Sequence, residues 1–98
     1  MSILAFPTKM TSSGIVTAKS AELWGVLIGC DGVNDPTITI YNGTDNSGNE
    51  IVPTNTYDAS ILGINGAILP FGLYAPDGLY VEITCAGAVE VVAMWRNK

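Results

Sequence analysis

The chain contains no histidine, and only four of its 98 residues are basic: Lys9, Lys19, Arg96 and Lys98. Without histidine there is no Ser–His or Cys–His pair for nucleophilic catalysis. Two cysteines and no histidine also leave too few ligands for a zinc site. Nine carboxylates against four cations give a formal charge of −5. Nucleic-acid binding needs a basic stripe to neutralise phosphates, and this chain has none. An anionic membrane surface is disfavoured for the same reason. No apolar run approaches the roughly 18 residues of a membrane span. Met1–Pro7 lacks the charged flank and apolar length of a secretory leader. The expectation is a soluble protein made in a cytosol.

Charge of either sign is scarce: 13% of residues against 48% apolar, where ordinary domains run to about 25% charged. A monomer so composed has trouble covering its outside, so some apolar surface is expected to meet another chain. The length suits one domain with a core that needs no staples. Cys30 and Cys85 each end an apolar run. In a chain without a leader they read as buried thiols in preference to a disulfide.

What the chain does have is punctuation. From Leu23 to Ile51, apolar runs are cut by DG, NDP, NG and NSGN, which is the grammar of short strands and tight turns. Glu22–Cys30 is apolar on both faces, as a central strand covered on both sides would be, and Trp24 reads as buried on the face of Val26, Ile28 and Cys30. Thr37–Tyr41 and Leu79–Cys85 alternate strictly. Glu50–Tyr57 carries Pro53, which suits a sheet edge or bulge. Asp58–Gly66 reads as a loop, Ala67–Tyr74 as an irregular strand, and Val89–Trp95 as the closing strand with Trp95 in the core. Two hairpins are expected, Trp24–Tyr41 and Leu79–Trp95. The fold class is therefore all-β: one small β-sandwich or jelly roll of seven to eight short antiparallel strands over 15–98. Residues 1–14, with Pro7 and a TSSG cluster, form an N-terminal arm or edge strand.

No residue announces an activity. Carboxylate-pair hydrolysis needs two acids flanking a cleft, but Asp31, Asp35, Asp45, Asp58 and Asp77 all fall in turns, where Asp is a good turn former. Asp31, Asp35 and Asp45 could share one end of a sandwich and bind calcium, yet turn Asp is common without metal. No metal and no cofactor is expected. Tyr41, Tyr57, Tyr74 and Tyr80 leave open a carbohydrate-binding module, although Tyr is frequent on any outer strand face.

The segments Leu23–Ile28, Asp31–Tyr41, Ser47-Gly48 and Pro76–Trp95, about two-thirds of the chain, resemble small structural proteins of tailed bacteriophage virions. The resemblance implies a non-enzymatic capsid decoration (cement) protein. Such proteins commonly form trimers on the shell and strengthen it against internal DNA pressure. It implies a homo-oligomer in the virion, synthesised in the host cytoplasm, with the major capsid protein or other virion proteins as partners. A neck, tail or fibre-associated protein is the alternative within the same particle. Decoration proteins often bind the capsid with an N-terminal arm. Here that arm would be 1–14, with Ile3, Leu4, Phe6 and Met10 as its interface residues.

Overall fold

The computed structural model describes residues 5–62, 66–68 and 72–98, with backbone alone at 61–62 and 66–68. The elements are β1 (Phe6–Met10), β2 (Gly14–Thr17), β3 (Ala21–Cys30), β4 (Thr37–Asn42), β5 (Asn49–Thr56), α1 (Ala59–Leu62), β6 (Gly66–Ile68), β7 (Leu73–Ala75), β8 (Leu79–Thr84) and β9 (Val89–Asn97). Of the candidate arm residues, Ile3 and Leu4 lie outside the described residues.

The strands form two antiparallel sheets. One has the order β1-β9-β3-β6, with β7 following β6 along the same edge of β3, and the other has the order β2-β8-β4-β5. The pairings nest: β4 with β5, β3 with β6 and β7, β2 with β8, β1 with β9. One long antiparallel ribbon has been rolled into two facing layers, which is a jelly roll. The irregular strand expected at Ala67–Tyr74 is two pieces, β6 and β7, which together fill one sheet position.

Two expectations are corrected. Neither Trp24–Tyr41 nor Leu79–Trp95 is a hairpin, because β3 and β4 lie in different sheets, and so do β8 and β9. Alternation tells which side of a strand is buried, not which sheet it joins. The tight hairpin is β4–β5, around residues 43–48. The expected loop at Asp58–Gly66 contains the helical turn α1. Its first N–H groups are capped from two directions: Ala59 N donates to Asp35 Oδ1 at 2.9 Å and Ser60 N to Asp58 Oδ1 at 2.9 Å.

The core lies between the layers. Ala21, Leu23, Val26, Ile28, Val91 and Ala93 meet Ile38, Ile40, Leu79 and Val81, each at most 1% exposed. Strand β3 keeps both ends of its inner face buried by a bulge. Leu23 pairs with Trp95 and Gly25 with Met94, so Trp24 is the extra residue. The bulge shifts the phase, so that Leu23 and Val26 both point inward. Trp24 is thus half-buried on the outer side, contrary to the reading that placed it with Val26 and Ile28. Trp95 packs against the core as expected.

All four sheet edges are blunted. β1 carries Pro7 and Lys9, and β5 carries Pro53 beside two register shifts. β2 has four residues and its own register shift. On the β6/β7 edge the register shifts, since Ile68 and Leu73 are five positions apart where their partners Val26 and Leu23 are three. Proline, lysine, bulges and short strands are how sheets discourage strand addition.

Candidate functional site

With the edges blunted, the outer sheet faces are the broad surfaces left for recognition. They differ. On the β2-β8-β4-β5 sheet the outward side chains are mostly polar and bonded to one another. Thr37 and Thr56 share a hydroxyl hydrogen bond at 2.8 Å, and Thr39 and Thr54 another at 2.7 Å. Tyr41 and Tyr80 are cross-strand neighbours with ring centroids 6.3 Å apart. Tyr41 OH donates to Glu82 at 3.4 Å, and Asn46 Nδ2 donates to the other Glu82 oxygen at 2.9 Å. Desolvation, then Glu82 and Glu50, push the Tyr41 phenol above its ordinary 10.0. Exposed Ile15, opposite Tyr80, is the apolar corner of this face.

The outer face of the β1-β9-β3 sheet is apolar across its middle. Pro7 stands opposite Met94, Met94 opposite Gly25, and Val92 opposite Leu27. Leu27 is 38% exposed between the buried Val26 and Ile28, and Tyr74 on β7 is 56% exposed. This corrects the view of β3 as covered on both sides: its inner face is covered and its outer face is open at Leu27.

Ion pairs bracket the apolar band at both ends. At one, Lys9 lies 3.6 Å from Glu90. At the other, Glu22 accepts from Arg96 Nε and lies 3.6 Å from Lys98. Glu22 is only 8% exposed. The Arg96 hydrogen bond holds its carboxyl below the ordinary 4.5, against the opposing cost of burial. The Arg96 guanidinium also stands 5.5 Å from the centre of the Trp24 ring. Gly72, at φ +78°, seats its backbone against the same indole. The Trp24 indole N–H is buried and has no partner among the described residues. Three of the four basic side chains therefore gather here with two of the nine carboxylates. Asp31 adds a third carboxylate at the Lys9 end, where it lines one groove with Glu90.

The arm candidates split. Phe6 is 52% exposed and packs its ring on Trp95, with centroids 5.6 Å apart. Met10 pairs with Val91 and is half-buried. Both sit on the inner side of β1, so they close the domain's own sandwich. Trp95 Nε1 donates to Thr8 Oγ1 at 2.9 Å, which pins β1 further.

The three carboxylates considered for calcium do not converge. Asp31 and Asp35 lie in the β3–β4 connection, whereas Asp45 lies in the β4–β5 turn, at the opposite end of β4. Asp31 is occupied as a loop cap by Val33 N, Asn34 N and Asn34 Nδ2 at 2.7–2.8 Å. Asp45 is bonded to Ser47. Among the described residues no group of three or more His, Cys, Asp or Glu is arranged to hold a metal. Of the four tyrosines only Tyr41 and Tyr80 come together; Tyr57 packs against the core and Tyr74 lies on the other sheet. Cys30 and Cys85 are free and half-buried. A groove of about 480 Å³ at the loop end includes Cys30, Asp31, Gly87 and Glu90 in its lining.

Comparison with protein-family models, with curated proteins and with solved structures finds no match for this chain.

Proposed function

We propose that this chain is a non-enzymatic structural protein of a tailed-phage virion, acting as a capsid decoration protein that works by bridging. One observation carries the reading. The polar groups of the loops are spent on holding turns, while the outer β1-β9-β3 face is left apolar and open at Leu27. A domain built this way gains by covering that face, not by turning over a substrate. The jelly roll is consistent with the proposal, since viral capsid proteins use it, but so do lectins and enzymes. The resemblance over Leu23–Ile28, Asp31–Tyr41, Ser47-Gly48 and Pro76–Trp95 supplies the setting. Many weak contacts repeated over a shell add up through avidity.

Mass spectrometry of particles from the phage that encodes the chain tests this. Hundreds of copies per particle support a shell protein. About a dozen or fewer would move the protein to the neck or tail. Absence from the particle overturns the proposal.

A carbohydrate-binding role is the second reading, favoured by the Tyr41–Tyr80 pair beside the Glu82–Asn46 hydrogen bond. A glycan array without hits, for the chain and for its Tyr80→Ala variant alike, would dismiss it.

A further inference from the structure

We infer that the outer face of the β1-β9-β3 sheet is where two copies of this chain meet, face to face about a two-fold axis. The inference rests on the homo-oligomer that the resemblance implies, names the surface responsible, and sets a two-fold pair in place of the trimer common among such proteins.

Three observations point to a second copy as the occupant. First, the edges are closed to it: Pro7 and Lys9 on β1, Pro53 on β5, the shifted register of β2 and the register shift from β6 to β7 all oppose strand addition. Association is left to the faces. Second, charge selects between them. Each chain carries −5, so two copies repel wherever carboxylates dominate. The outer β1-β9-β3 face is the exception, with Lys9, Arg96 and Lys98 balancing Glu22, Glu90 and the Asp31 that lines a groove beside Glu90. Both of its ends hold both signs. A two-fold axis in the interface plane, running across the strands, sets the Lys9–Glu90 end of one copy against the Arg96–Glu22–Lys98 end of the other. That arrangement is self-complementary, as an isologous contact must be. Third, the size and composition fit. The molecule measures 37 by 32 by 18 Å, so its broad side can bury the roughly 800 Å² per partner of a standard interface. Leu27, Val92 and Met94 supply an apolar centre, and Trp24, Tyr74 and Arg96 are the residue types that most often anchor one.

Light scattering on the full chain over a concentration series reads the assembly. The expected result is a two-chain mass. Leu27→Glu with Met94→Glu should give a single-chain mass while retaining the β-sheet circular dichroism. Ile15→Glu, on the opposite face, should leave the pair intact. Should the double variant fail to fold, Lys9→Glu with Lys98→Glu serves instead. Both side chains are at least half exposed, and reversal makes the face acidic. Its dissociation constant should rise at least about tenfold at low salt. A single-chain mass at all concentrations overturns the inference. So does an assembly that survives Leu27→Glu and Met94→Glu, or one that Ile15→Glu dissociates. Capture of an acidic partner protein by a chain that stays monomeric overturns it too. A chain that pairs through this face yet is absent from virions would sink the proposed function alone. A monomer that decorates particles would sink this inference alone.

Discussion

Gly87 lies against the carboxylate of Asp31, with no room between them for a Cβ. The contact joins the two crossings between sheets at one end of the roll, β3 to β4 and β8 to β9. Three hydrogen bonds from Val33 and Asn34 fix the carboxylate, so it cannot swing away freely. Gly87→Ala should therefore lower stability by about 1–3 kcal/mol, the usual cost of overpacking. Gly29→Ala, where a Cβ meets nothing within 4 Å, should stay within about 0.5 kcal/mol of the parent. Urea unfolding of the two variants makes the comparison.

Leu23 is fully buried at the point where the bulge hands the inward phase from Leu23 to Val26. Leu23→Ala should cost about 2–5 kcal/mol, the transfer term plus the cavity left behind. Calorimetry should show a single cooperative transition at lower temperature. A loss below about 1 kcal/mol would mean the two layers close over the gap.

Phe6 holds β1 to the sheet through its ring contact with Trp95. Phe6→Ala should cost about 1 kcal/mol, the range of an aromatic pair beyond its area. The effect should be local: amide exchange in β1 quickens while β3 and β9 keep their protection. If β1 exchanged at its parent rate, Thr8 and the ladder with β9 would be holding the strand without the ring.

Acid should destabilise the fold in a defined window. Hydrogen bonds hold Glu22 below its ordinary 4.5 and Asp31 and Asp45 below 3.8. A carboxyl with a lowered folded pKa contributes stability that is full above its unfolded value. The contribution is lost as pH falls through the folded value. Urea midpoints should be flat from about pH 6 to about pH 5 and drop toward about pH 3. Glu22→Gln should lower the neutral-pH plateau and make the drop shallower.

The strands were legible in the sequence because inner and outer residues alternate, as in Leu79–Cys85 and Thr37–Tyr41. Their partners were not. Leu79 and Val89 each look inward in the same way, yet they belong to opposite layers. Only the long-range pairing of β9 with β1 and β3 settles that. Trp24 was misplaced because a bulge is one extra residue, and a pattern of period two cannot see it coming. The outer apolar band is partly legible: Val92 and Met94 alternate with Val91, Ala93 and Trp95, so β9 is apolar on both faces. Its ion-pair borders are not, since Lys9 and Glu90 lie 81 positions apart and only the β1–β9 register brings them together.

The pairing of Phe6 with Trp95 has a mechanical consequence. The chain enters β1 and leaves β9 at the same corner, on adjacent antiparallel strands. A pull on the two ends would load their ladder one hydrogen-bonded pair at a time, like a zip, instead of shearing many pairs at once. The roll would open from that corner at low force.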